Sequence, residues 1–94
     1  MDSRLFGLWV SEPTESENGT TRLHFFENGD LLYVVRSEQR DEVSRLTYTT
    51  QGDVIISDQP SVPRKEATKY FIDEDGFLLL EHGGVRSRYR RISK

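Results

Sequence analysis

The sequence predicts an all-β fold, an antiparallel up-and-down meander of about eight short strands closing into a small barrel, with two packed antiparallel sheets as the alternative. Three observations lead there. One pattern of apolar residues, a break ending in glycine and a second apolar run occurs three times, as Leu23–Tyr33, Leu46–Ile56 and Tyr70–Leu80, aligned on Gly29, Gly52 and Gly76 at spacings of 23 and 24 residues. No segment sustains a 3.6-residue apolar period, so no amphipathic helix is expected. Every connection is short enough for antiparallel neighbours and too short for a parallel crossover with its helix.

The elements follow in order. Turn signals at Asn18-Gly19, Asn28-Gly29-Asp30, Gly52-Asp53, Asp75-Gly76 and Gly83-Gly84 supply residues that tolerate the positive φ of tight hairpins. Between them lie segments rich in β-branched and aromatic residues, predicting strands over 5–11, 20–27, 30–37, 43–50, 53–58, 66–73, 76–82 and 85–92. Ser11–Asn18, with Pro13 and three glutamates, is a loop. Ser37–Ser44 is too polar for a buried helix face and becomes a hairpin connection. Pro60 and Pro63 in Ser57–Lys65 remove backbone donors and block regular pairing. Residues 1–94 form one domain.

Alternation assigns provisional faces. Leu23 and Phe25 share one face, against Arg22 and His24; Leu46 and Tyr48 oppose Arg45, Thr47 and Thr49; Tyr89 and Arg91 oppose Arg86, Arg88 and Arg90. Other strands are apolar on both faces, including Leu31–Val35, Val54–Ile56 and Phe77–Leu80. With no helix to cover them, Phe6, Leu8, Val10, Leu32, Val34, Ile55 and Leu79 are the candidate outward residues of a partner surface, a second copy of the chain being one occupant.

Gly7-Leu8-Trp9 heads the first strand, and Tyr89-Arg90-Arg91 ends the last. On these residues the chain resembles the lipocalin and fatty-acid-binding superfamily, the calycins. Their barrels open with G-x-W, and an arginine near the end of the last strand packs across that tryptophan. The resemblance implies a closed barrel with first and last strands paired. It also implies a guanidinium over the Trp9 indole, a favourable stack. Arg91 fits better than Arg90, because it shares a face with Tyr89. The chain is shorter than typical members and lacks the lid or flanking helix that some carry.

Six residues are the candidate ligand-binding set: Trp9, Phe25, Tyr33, Tyr48, Tyr89 and Arg91. Tyrosine brings a ring and a hydroxyl, which suits a pocket with few placed polar groups. The competing expectation is that these rings fill the narrow bore of an eight-stranded barrel.

Charge excludes more than it assigns. The net charge of −3 divides as −4 over residues 1–30, −4 over 31–84 and +5 over 85–94. An acidic chain attracts nucleic acid poorly. The Arg86, Arg88 and Arg90 stripe is expected to pair with acids on neighbouring strands, such as Glu12 or Glu81. His24 and His82 have no companion ligand at metal spacing, so no metal or cofactor is expected. Asp30, Asp53 and Asp75 each adjoin a turn glycine, and turn chemistry accounts for them. No nucleophile elbow, phosphate loop or dinucleotide fingerprint occurs, so no catalytic residue is assigned and an enzyme is not expected. There is no cysteine, which suits a reducing compartment. No signal peptide and no apolar run of about 20 residues is seen, so no membrane span and a cytoplasmic location are expected. The Asn18-Gly19-Thr20 sequon is better explained as a turn. The expected function is a non-enzymatic protein-interaction module, homodimeric through outward apolar strand faces. The alternative is a lipocalin-like carrier or sensor for a small apolar or anionic ligand. Interior volume discriminates them: a cavity of about 300 Å³ or more favours binding.

Overall fold

A computed structural model of the chain describes residues 2–11, 19–37, 40–60 and 65–93. Eight strands form a closed antiparallel barrel in simple sequential order, β1-β2-β3-β4-β5-β6-β7-β8. They are β1 (Gly7–Ser11), β2 (Gly19–Phe25), β3 (Asp30–Ser37), β4 (Asp41–Gln51), β5 (Val54–Asp58), β6 (Lys65–Ile72), β7 (Leu78–His82) and β8 (Val85–Ser93). The last strand pairs back onto the first, with Trp9 opposite Arg91 and Ser11 opposite Tyr89. Closure leaves no long unpaired edge, the usual liability of a meander this size. Ser11 ends β1 and Gly19-Thr20 begin β2, while the rest of the loop expected over Ser11–Asn18, including the sequon asparagine, and the loop proline Pro63 lie outside the described residues.

The first strand starts later than the sequence predicts. Ser3–Leu5 forms a 3-10 turn instead, capped by the Asp2 side chain, which accepts from Arg4 N at 3.0 Å. Leu5 is thereby driven into the core with no exposed surface. Aspartate two residues before the turn's centre is an N-cap signal that apolar alternation does not detect.

The three glycine repeats do form hairpins, but with two different turns. At Gly29 and Gly76 the chain makes a longer turn: Gly29 N donates to Phe26 O and Gly76 N to Asp73 O, with φ of 98° and 85°. Positive φ at these positions is the reason only glycine fits well. At Gly52 the turn is shorter by one residue, with Gln51 directly opposite Val54. That difference inverts the face of β5. Aligned on the glycines, Val54 would match the inward Leu31 and Leu78. The tighter turn instead sets Ile55 opposite Thr50 and Thr68, on the face that carries Tyr48 and Tyr70 inward. Ile55 is therefore a core residue, 4% exposed, and its assignment to an outer surface is corrected. Val54 and Ile56 face outward in its place.

The apolar interior gathers at one end. Strand direction alternates, so the turns at Gly29, Gly52 and Gly76, the start of β1 and the end of β8 all lie at the same end of the barrel. The inward residues nearest them, among them Trp9, Phe25, Leu31, Tyr48, Ile55 and Leu78, form the core with Leu5. Phe25 and Tyr48 meet edge to face at 5.0 Å, the geometry aromatic quadrupoles favour. The Tyr48 hydroxyl donates to Phe26 O at 2.8 Å, so its polar end is satisfied. Burial pushes the Tyr48 hydroxyl up to about 12 from its ordinary 10. Because the folded value is the higher one, this contribution to stability is whole below pH 10 and is lost as pH rises through about 12. Alkaline titration followed at 295 nm and by far-ultraviolet dichroism should show a late tyrosine ionisation accompanied by loss of β-structure. In a Tyr48→Phe variant that coupled step should be gone.

Candidate functional site

The closed end is sealed by a small set of mutually fixed groups. Trp9 is fully buried, and its indole N–H donates to Leu5 O at 2.9 Å. The Arg91 guanidinium lies over the indole, 4.2 Å from the ring centre. Its Nη1 donates to Phe6 O at 2.6 Å and its Nη2 to Arg4 O. Direct Trp9–Arg91 register across β1 and β8 produces the stack, while Arg90, one residue earlier, faces outward opposite Val10. Tyr70 adds a latch: its hydroxyl lies 2.7 Å from Asp2 Oδ2 and 3.1 Å from Gly52 O. The Arg4 side chain bonded to Asp2 holds that carboxyl well below the usual carboxylate range, opposed by partial burial and aided by the Tyr70 hydroxyl.

The opposite half of the lumen is built differently. Inward positions there carry Ser44 on β4, Ser57 on β5, Glu66 and Thr68 on β6, and Ser87 on β8, with Tyr33 on β3 at the rim and Tyr89 at depth. Together with Leu46, Leu80, His82 and Val85 they line a cavity of ≈ 560 Å³. Short hydroxylated side chains cannot span the bore of an eight-stranded barrel, so the space between facing strands stays open. The register sets these groups opposite one another: Tyr33 faces Ser44, Ser57 faces Glu66 and Leu80 faces Ser87. The result is a concave surface with rings, hydroxyls and one carboxylate, of a size suited to a small organic molecule.

The six candidate ligand residues divide between the two ends. Tyr33, 36% exposed, and Tyr89 line the cavity. Trp9, Phe25 and Tyr48 belong to the packed core, and Arg91 seals the closed end rather than facing a ligand. Among the described residues the cavity lining holds no lysine or arginine. The residues missed by sequence reasoning are Ser44, Ser57, Glu66, Thr68 and Ser87. Their signal was axial: each sits on the inward face, but on the side of its strand remote from a repeat glycine.

The outer candidates also divide. Leu8, Leu32, Val34 and Leu79 face outward and are half-buried, whereas Val10 faces outward but is only 8% exposed. Phe6 packs against the core at the closed end, because the 3-10 turn folds its chain across the barrel mouth; its assignment to an outer face is corrected. The most exposed apolar ring on the outer wall is Phe71, 62% exposed and paired with Leu79 across β6 and β7. The two border a groove of ≈ 310 Å³ with Lys69, Glu81 and Arg86. The arginine stripe is matched along the same wall: Arg86 Nε lies 3.1 Å from Glu81 Oε2, and the Arg88 guanidinium stacks 3.8 Å from the Phe77 ring centre. Among the described residues no group of three or more His, Cys, Asp or Glu side chains is placed to hold a metal ion, and no helix is long and apolar enough to cross a membrane.

No protein-family model matches the chain, no curated protein matches it significantly in sequence, and no solved structure matches it significantly in fold. The class of protein thus rests on the architecture itself: an eight-stranded antiparallel barrel with one packed end and one hollow, polar end.

Proposed function

We propose that this protein is a non-enzymatic binding barrel, lipocalin-like in arrangement, that holds a small ligand in the hollow half of its lumen. One observation carries the proposal: the open concavity of ≈ 560 Å³ lined from β3 to β8, within the size range of small-molecule sites. The sealed end supports it, because Trp9, Arg91 and Leu5 close the barrel on the side away from the concavity. The same seal supports placing the chain beside the calycins, since Gly7-Leu8-Trp9 and Arg91 stand in the relation that the resemblance implies. The described lining supplies hydroxyls, rings and aliphatic side chains suited to holding a small organic molecule.

Filling the lumen tests the proposal. Ser87→Trp places an indole at an inward position of a strand that tolerates aromatics. A fragment set screened by thermal shift should include compounds that raise the melting temperature of the natural protein. None of these should raise that of the variant, while the variant keeps a cooperative transition. Equal shifts in both proteins would place binding elsewhere.

The exposed Phe71 beside half-buried Leu79 favours a second function, self-association or partner contact through the outer wall of β6 and β7. Sedimentation equilibrium that shows a monomer at millimolar concentration would remove the homodimer.

A further inference from the structure

The outer wall of β5 to β8 carries a row of charges that alternates in sign. Val54 pairs with Lys69, Lys69 with Glu81 and Glu81 with Arg86, and Asp53 directly precedes Val54. Across the strands the row therefore runs Asp53, Lys69, Glu81, Arg86, acid and base in turn, and all four border the groove of ≈ 310 Å³. Within one chain such neighbours support the wall, as Arg86 Nε does at 3.1 Å from Glu81 Oε2. An alternating row of four is also the complement of its own reverse. Turned end for end, it sets Asp53 against Arg86 and Lys69 against Glu81, with opposite signs at every position.

The apolar groups obey the same symmetry. Phe71 and Leu79 face each other across β6 and β7, as Lys69 and Glu81 do. A line midway between the two strands separates the members of both pairs. A two-fold axis along that line, in the plane of contact, exchanges them between two copies. The interface is then isologous, one patch used by both chains, the commonest symmetry of soluble oligomers. Because the axis follows the strands, the two sheets pack in the aligned manner, at about 30° once their twist is included. Phe71 is 62% exposed, so docking removes from water an aromatic ring, the kind of group that anchors interfaces. A carboxylate accepts from more than one donor, so Glu81 keeps Arg86 while receiving a second cation.

We infer that a second copy of this chain docks on this wall about a two-fold axis between β6 and β7, with Phe71 on the partner's Leu79 and Lys69 on the partner's Glu81. The inference rests on self-association through the outer wall and is independent of what the lumen holds.

Sedimentation equilibrium from micromolar to millimolar protein should show a monomer–dimer equilibrium. Phe71→Ser, a change at an exposed position, should weaken it at least about tenfold. Lys69→Glu and Glu81→Lys should each weaken it about tenfold, because symmetry applies the repulsion twice. An equimolar mixture of these two variants should associate about as well as the natural protein. In the mixed dimer the new acid at position 69 meets the new base at position 81, and the other contact is the natural pair. Mixing does not repair damage within one chain, so a mixture as weak as its components would overturn the two-fold pairing. Should either charge variant fail to fold, amide NMR of the natural protein on dilution decides: shifts should concentrate at Lys69, Phe71, Leu79 and Glu81, and shifts elsewhere would overturn the geometry. A dimer indifferent to Phe71→Ser would also overturn it and leave self-association through another face standing. A monomer at millimolar concentration would overturn both and leave the wall to a different partner.

Discussion

Replacing Trp9 by alanine is expected to destabilise the protein by about 3–5 kcal/mol, the range for truncating a fully buried large aromatic residue. Three losses act together. The indole is completely buried, so its removal leaves a void within the core cluster. Its N–H no longer satisfies Leu5 O, which frees the 3-10 turn. The Arg91 guanidinium loses the ring it covers. A domain of this size has only about 5–14 kcal/mol of total stability. The variant should therefore have a clearly lower urea midpoint than the natural protein, or no cooperative transition at all. Trp9→Phe, which keeps a ring but not the N–H, should fall between the two. A midpoint for Trp9→Ala near that of the natural protein would mean that the sealed end contributes little to folding.

Arg91→Gln has the second largest expected effect, about 2–3 kcal/mol, because two charge-assisted bonds to carbonyls and a partly shielded cation–π contact are lost together. The two carbonyls, Phe6 O and Arg4 O, lie on the segment that crosses the closed end. Loss of Arg91 should therefore loosen residues 3–6 before the rest of the barrel. Amide exchange should accelerate at Leu5 and Phe6 more than at the centres of β3 and β4. Arg90→Gln, at an outward position, is expected to cost about 0–1 kcal/mol, as surface charge changes do. Comparable costs for the two neighbours would show that the stack over Trp9 is incidental.

These effects belong to one end of the molecule, and that asymmetry explains which features the sequence revealed. The architecture was legible because turn chemistry and period-2 patterning are local. Gly29 and Gly76 mark their turns by composition, and the strands between them follow with errors of a residue or two at their ends. Faces were legible where one side is charged, as with Leu23 and Phe25 against Arg22 and His24. They were not legible in Val54–Ile56, where every residue is apolar. There the face is set by whether the turn holds two residues or three, and glycine occurs in both. Phe6 was misplaced for a related reason: an aspartate-capped 3-10 turn changes the direction of the chain just before β1.

The candidate site was the least legible part. Aromatic residues drew attention to Trp9, Phe25 and Tyr48, but large rings are what a core uses first, and the core took them. A cavity in a barrel is defined by small side chains at inward positions, and Ser44, Ser57, Thr68 and Ser87 look like ordinary strand polar residues until the strands are aligned by height along the barrel. Ordered that way, the glycine repeat shows large apolar residues beside the turns and short polar ones away from them.

The central claim is that the two halves of the lumen have different tasks, one packed and one receptive. Amide and side-chain methyl NMR, during titration with a fragment found by thermal shift, tests it most directly. The account predicts that shifts and ligand contacts concentrate at Tyr33, Ser57, Glu66, Thr68 and Ser87, with Trp9, Phe25 and Leu78 nearly unmoved. Contacts confined to Phe71 and Leu79 on the outer wall, or a bound molecule inserted among Trp9, Phe25 and Tyr48, would contradict it.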